Sequence, residues 1–240
     1  LQSNPSTWLP TRWNNNSGIG SLVTPGRRAG TYYVDLNNND EALGRTFDNQ
    51  STWIVHAAVQ FQFNSSGNII LFRDAPSNQC QAWFDWGSHT IQCYRGGTLV
   101  GSSSGLVVQH DVWYHIAVRA VIHNTAGEFK VVIDGQTILN LTGINTRGGT
   151  SNNWANEVCF SRYYFHDIVI CDGTGSAPYN DVMGDLKVNC LIPNAAGAVT
   201  GWTPSAGSNY QNVDDTTPDT DTTYNSTSVA ATVDTYAVPN

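Results

Sequence analysis

Trp83 and Trp86 flank Asp85 beside a turn signal, Gly87-Ser88. Exposed indole faces stack on sugar rings, and a neighbouring carboxylate accepts hydrogen bonds from ring hydroxyls. Trp83, Asp85 and Trp86 are therefore the best carbohydrate-binding candidates, although the two indoles would serve as well in a core or a subunit interface. Trp113 and Trp154 read more simply as packing residues.

Catalysis has less to work with. Hydrolysis of a glycosidic bond by paired carboxylates needs two acids facing each other across a cleft. Glutamate occurs only at Glu41, Glu128 and Glu157, and no Glu-x-Asp-x-x-Glu strand motif is present. Asp172-Gly173-Thr174-Gly175 follows an apolar run as a plain turn would. The glycines show no phosphate-binding pattern. The expectation is that the chain has no catalytic residues and is not an enzyme.

Metal chemistry is equally sparse. His56, His89, His110, His115, His123 and His166 show no pairing at ligand spacing on one short element, and there is no CxxC. The expected metal ligands and cofactors are none, with one alternative. Asp74, Asp167, Asp172, Asp181 and Asp185 fall near strand ends, where calcium could be held by loop carboxylates and carbonyls. Cys80, Cys93, Cys159, Cys171 and Cys190 are odd in number and widely spaced. They read as small buried side chains, with Cys80–Cys93 or Cys159–Cys171 as disulfide pairs in an oxidising medium.

Such residues need a scaffold, and its bulk properties are restrictive. At 240 residues, with 12% charged residues and a net charge of −8, the chain has room for one large β-sandwich or two small domains and is poorly suited to nucleic acid. No apolar run approaches a membrane span, and no signal peptide is apparent. The first residue is Leu1 and the only methionine is Met183, which suggests a processed or fragmentary N-terminus.

The elements alternate at period two. Trp53, Val55, Ala57, Val59, Phe61 and Phe63 oppose Ile54, His56, Ala58, Gln60 and Gln62, the pattern of a half-buried strand. Val112, Tyr114, Ile116, Val118, Ala120 and Ile122 share one face of another strand. Asp134-Gly135 between two apolar runs predicts a hairpin whose central residues take positive φ. Further strands are predicted at 69–73, 82–86, 89–94, 98–102, 128–133, 157–161, 164–171 and 184–192, and only 40–44 could form a short helical turn. Many short strands with frequent turns predict an all-β fold of two antiparallel sheets packed face to face.

Residues 1–30, rich in Asn, Ser, Pro and Gly, read as an N-terminal arm, and 31–193 as the sandwich. From Asn194 the composition turns to Thr, Asp, Ser and Gly with no further Lys or Arg. Such a segment buries too little apolar surface to offset its chain entropy. It is expected to be an extended arm, 194–240, ordered against the sandwich or a neighbouring chain. Asn-x-Ser/Thr triplets at Asn15, Asn49, Asn64, Asn140 and Asn225 are expected from composition alone.

The strand opening VWYHIAVRAVIHN and the hairpin FKVVIDGQTILNLT resemble laminin-G-like and concanavalin-like lectin domains. With FHDIVICDGTGSAPYNDVMGDLKVNCLIPNAAG and WTPSAGSNYQNVDDTTPDTDTTYNSTSVAATVDTY added, the chain over roughly 50–236 is similar to bacteriophage virion structural proteins with a concanavalin-like lectin domain. The resemblance implies a jelly-roll sandwich on a tailed-phage particle, as a capsid decoration or tail-fibre component. It implies virion localisation after assembly in the host cytoplasm, and homo-oligomers with bridging arms. The partners would be a major capsid or tail protein, with surface glycans added if the lectin role holds, and neither nucleic acid nor membrane. A carbohydrate- or receptor-binding lectin module is the rival expectation.

Overall fold

Period-two alternation leaves each strand with one apolar face, and two sheets bury those faces against each other. In a computed structural model, described for residues 13, 15–17, 21–28, 31–36, 42–62, 66–105, 108–186, 191–215 and 222–239, the chain divides into two compact units after Val188. In chain order the first unit holds β1 (Asn15–Ser17), β2 (Ser21–Val23), β3 (Tyr33–Asp35), β4 (Ala42–Gln50), β5 (Thr52–Gln60), β6 (Gly67–Asp74) and β7 (Ser77–Asp85). It continues with β8 (Thr90–Arg95), β9 (Thr98–Ser102), β10 (Trp113–Val121), β11 (Gly127–Ile133), β12 (Gln136–Ile144), β13 (Ala155–Ser161) and β14 (Tyr164–Cys171).

These strands form two seven-stranded antiparallel sheets. The first sheet runs β1-β4-β13-β6-β7-β8-β9 and the second β12-β11-β10-β5-β14-β3-β2. This is the expected all-β jelly-roll sandwich, with crossovers linking strands far apart in the chain. Its core contains Trp53, Val55, Val59, Phe61, Phe72, Phe84, Ile116, Val118, Phe129, Phe160 and Phe165, all buried. Asp134 (φ 47°) and Gly135 (φ 79°) make the predicted hairpin turn between β11 and β12.

Several elements differ from expectation. The span read as an N-terminal arm contributes edge strands to both sheets, β1 beside β4 and β2 beside β3. Residues 42–44, the candidate helical turn, begin β4. The sequence of β4, ALGRTFDNQ, lacks clean alternation, and pairing with β13 holds it extended. The strand predicted at 184–192 is absent at 184–186 and 191–192, while 187–190, Glu41, Phe63 and Cys190 lie outside the described residues. β5 is buried on both faces: Ile54, His56 and Ala58 are as inaccessible as its core-facing side chains. The second sheet's outer face is roofed by residues 24–28 and 172–186. Arg27 pairs with Asp185, Arg28 makes a fork to Asp167, and the Met183 N–H donates to His56.

Cys80, Cys93, Cys159 and Cys171 are free thiols, the first three buried. Burial pushes the Cys93 and Cys159 thiols up to about 12, which suits inert packing groups.

The described residues 191–215 and 222–239 belong to the second unit. β15 (Ala195–Thr200) pairs with β18 (Asp234–Ala237), and β16 (Thr203–Pro204) pairs with β17 (Asn225–Ser226). A single 3-10 turn spans Asn209–Asn212. Its interior is polar. Asn209 donates to the Trp202 carbonyl and to Asp234, Asn225 donates to the Asn209 carbonyl and the Tyr236 hydroxyl, and Tyr236 donates to Asp234. The segment expected to run extended thus carries hydrogen-bonded structure of its own.

Candidate functional site

The outward face of the first sheet is assembled by strand register. Asn68 of β6, Trp83 of β7 and Gln92 of β8 lie side by side across the strands. The next rung is Cys159, Leu71, Gln81, Tyr94 and Leu99. Residues two apart on a strand share a face, so these two rungs form one continuous surface. Trp83 and Tyr94 meet edge to face, with ring centroids 5.9 Å apart. Leu71 and Gln81 are almost covered, while Leu99 is half exposed.

Two amides on this surface are incompletely used. Among the described residues, Asn68 Oδ1 and Gln81 Oε1 are buried without a hydrogen-bond partner in the protein. An unpaired buried carbonyl carries a desolvation cost, which a hydroxyl donor would relieve once the side chains covering the oxygen move aside. Aromatic rings beside acceptor amides match what a pyranose offers, namely C–H faces and a fringe of hydroxyl donors.

Along the same face, Arg73 lies across from Glu157 of β13, with Nη1 3.1 Å from the carboxylate. Arg73 also donates to the Pro76 carbonyl at 2.7 Å and touches the Cys159 sulfur at 3.7 Å. At the far end of β7, Gln79 is fully buried. Its side-chain amide donates to Thr150 Oγ1 and to the Asn152 and Trp154 carbonyls, and its carbonyl accepts the Gly148 N–H. Residues 148–154 are thereby clamped along the end of this sheet.

The three sequence candidates separate. Trp83 stands on this face as required. Asp85 shares its side of β7 but serves its own turn, accepting from Ser66 Oγ, the Ser88 N–H and Ser88 Oγ. The Ser88 hydroxyl, followed by Ser66 and backbone N–H donors, holds its carboxyl below the usual range. Trp86 turns to the interior side, against Phe84 at 6.0 Å and His89 at 5.1 Å. Parity along β7 could have separated Trp83 from Trp86 in advance. The contributions of Asn68, Gln81 and Tyr94 depend on strand pairing and could not be read that way.

The acids considered for other chemistry are dispersed. Glu128 pairs with Arg119 on the second sheet, whereas Glu157 pairs with Arg73 on the first. Of the candidate calcium ligands, Asp167 and Asp185 are bound to Arg28 and Arg27, Asp74 accepts from Thr150 and Asn152, and Asp172 and Asp181 accept from neighbouring turn groups. No three His, Cys, Asp or Glu side chains converge on a metal position among the described residues. A cavity of about 400 Å³ opens beside Phe47, Trp53, Cys171 and Tyr179.

The histidines do hold a surprise. His56 and His115, on adjacent strands of the second sheet, place Nδ1 and Nε2 3.3 Å apart with their rings stacked. Burial, then the neighbouring His115, lowers His56 to about 4, and burial lowers His115 as well.

No family model and no curated protein matches the chain. Solved structures do. An alginate lyase from a Chlorella virus, vAL-1, is 13% identical over 71% of this chain and 97% of its own, with a TM-score of 0.49. The alginate lyase Aly36B is 14% identical over 59% of this chain and 80% of its own, at 0.43. A pentraxin from Limulus polyphemus is 12% identical over 55% and 69%, at 0.41. At these values the likeness is one of sandwich architecture.

The lyases nonetheless correct one expectation, that the chain is not an enzyme. That inference rested on missing paired carboxylates, a requirement of hydrolysis. Cleavage by elimination needs a base near the sugar and a means of neutralising the substrate acid, and the scarcity of glutamate does not bear on either. The phage origin implied by the sequence has no counterpart among these structures.

Proposed function

We propose that this protein is a carbohydrate-binding module whose ligand lies on the outward face of the first sheet, across Asn68, Gln81, Trp83, Gln92 and Tyr94. The observation that carries the reading is the pairing of an exposed-edge aromatic couple with two buried amide oxygens that lack partners on the same surface. Trp83 supplies the stacking plane, and the amides accept ligand hydroxyls. The indole gives affinity for any flat sugar face, and the amide positions discriminate among hydroxyl configurations.

The test is calorimetric titration against a panel of neutral and uronic-acid oligosaccharides, with the products chromatographed after incubation. Binding that disappears in Trp83→Ala supports the reading. Absence of binding to every member at millimolar concentration overturns it. Chain shortening during incubation would extend it to catalysis.

The sequence resemblance adds a location to this reading. The module would sit on the surface of a tailed-phage particle, as a capsid decoration or tail-fibre component, and a capsid or tail protein would be its neighbour. Immunogold labelling of purified particles with an antibody to this chain tests that placement, and unlabelled particles would remove it.

A further inference from the structure

The end of the sandwich where β4 gives way to β5 holds polar groups that the protein leaves unused. Among the described residues β1 pairs only with Ala42–Gly44, so β4 runs on past its neighbour and leaves Phe47 and Asp48 exposed. Trp53 lies near the start of β5, and the register of β14 on β5 sets Cys171 beside Ile54. Residues 172–179 follow directly. These segments line the cavity of about 400 Å³ beside Phe47 and Trp53, a size that suits a small molecule.

The lining has one charge and one unmet donor. Asp48 and Asp172 both open on the cavity, and none of the described residues that line it is Lys, Arg or His. Asp48 has no hydrogen-bond or ion-pair partner among the described residues. Asp172 commits Oδ1 to the Thr174 N–H and hydroxyl, which leaves Oδ2 unengaged. The Thr174 N–H, then its hydroxyl, hold this carboxyl below the usual range, so it is ionised at neutral pH. Trp53 is 2% exposed, and its Nε1–H is buried without a partner among the described residues. The Phe47 ring packs on the indole at 5.3 Å and is itself 36% exposed, so an outward swing of that ring admits an oxygen to the indole. A buried donor left unpaired costs stability, and an acceptor placed there recovers it.

We infer that this cavity binds a small hydroxylated ammonium ion, of the amino-sugar or amino-alcohol class. A ligand hydroxyl accepts the indole hydrogen. The ammonium group meets the two carboxylates, and the faces of Phe47 and Tyr179 attract the same cation. A neutral sugar leaves both acids unpaired, an acidic sugar is repelled by them, and a purely apolar ligand meets none of the three polar groups. The inference does not rest on saccharide binding at the first sheet, which Trp83→Ala tests separately.

The experiment follows the Trp53 indole N–H resonance, assigned by its loss in Trp53→Phe, as the full chain is titrated with glucosamine. The pH is ~6.5, where the amine is charged. N-acetylglucosamine, glucose and glucuronate are titrated alongside. Glucosamine should move the resonance with a dissociation constant of about 1 mM, and Asp48→Asn should weaken it about tenfold. The second readout is modification by a pyridyl disulfide, located by peptide mapping. Cys171 lines the cavity and is partly exposed, whereas Cys80, Cys93 and Cys159 are buried, so occupancy should slow modification at Cys171. Where Trp53→Phe fails to fold, protection of Cys171 decides alone. No shift and no protection at ~50 mM glucosamine would overturn the inference. So would an equal effect of glucose or N-acetylglucosamine, or undiminished binding in Asp48→Asn.

Discussion

His56 Nδ1 lies 3.3 Å from His115 Nε2, and the proton between them has a determined owner. The Met183 N–H points at His56 Nε2, so that nitrogen accepts and Nδ1 carries the hydrogen donated to His115. The His115 Nδ1–H is then buried without a partner among the described residues. Both rings are neutral in this arrangement, and protonating both would place two cations in contact under the roof formed by 172–186.

Acid should therefore unfold the sandwich through this pair. An unfolded histidine titrates near 6.5, while folded His56 does so at about 4. The unfolded chain takes up protons first as pH falls, so stability is full above 6.5, declines between 6.5 and 4, and levels off below that for this group. The loss is about 3 kcal/mol. Denaturant melts at pH 7 and pH 4.5 should show it, and His56→Gln should flatten the difference. A wild-type midpoint unchanged between those pH values would refute the claim.

Gln81→Leu should move stability and binding in opposite directions. The amide oxygen of Gln81 is buried without a partner, and an apolar side chain of similar size removes that cost, raising stability by about 1 kcal/mol. The same change should weaken saccharide binding about tenfold by deleting an acceptor. Thermal melts and titrations on one preparation measure both.

Breaking the Arg73–Glu157 pair from one side should be costly. Glu157 is essentially inaccessible, and Glu157→Gln leaves the guanidinium without its counter-charge, a loss of about 3 kcal/mol. Replacing both residues by apolar ones, Arg73→Met with Glu157→Leu, should recover much of it. If the double variant is less stable than the single one, desolvation is not the governing effect.

Gly148→Ala should loosen the clamp on the end of β7. A methyl at this position would come within 2.3 Å of the Gln79 carbonyl oxygen and 2.7 Å of the Asn78 carbonyl oxygen, both backbone atoms that cannot swing aside. Displacing residues 148–154 also strips Gln79 of its hydrogen bonds. A fall of about 2–4 kcal/mol in chemical denaturation is expected, whereas Gly135→Ala, with open space around it but positive φ, should cost about 1 kcal/mol.

Alternation in β5 and β10 and the Asp134-Gly135 turn made the sandwich legible in the sequence, because each is a local property. β4 escaped, since its conformation comes from β13, more than a hundred residues away. The site was legible only as far as one strand reaches. Trp83 could be named, but Asn68 and Tyr94 join it through register, which no single strand encodes. His56 and His115 each sit on the polar side of an alternating strand, yet nothing within either strand says the other is its neighbour. The apolar side chains of 191–239 are sparse enough to read as a mobile tail, and the asparagine network that shapes them has no periodic signature.

The order in which strands find partners has a consequence for synthesis. β5, among the most deeply buried strands, takes its two neighbours from residues 113–121 and 164–171. β3 and β4 likewise wait for β14 and β13. A nascent chain must therefore expose the open flank of β5 until Cys171 has left the ribosome. High contact order of this kind slows folding and lengthens the interval in which bare strands can find one another on neighbouring chains. Yield in the cell should thus depend on chaperone supply and elongation rate more than on the stability of the finished sandwich.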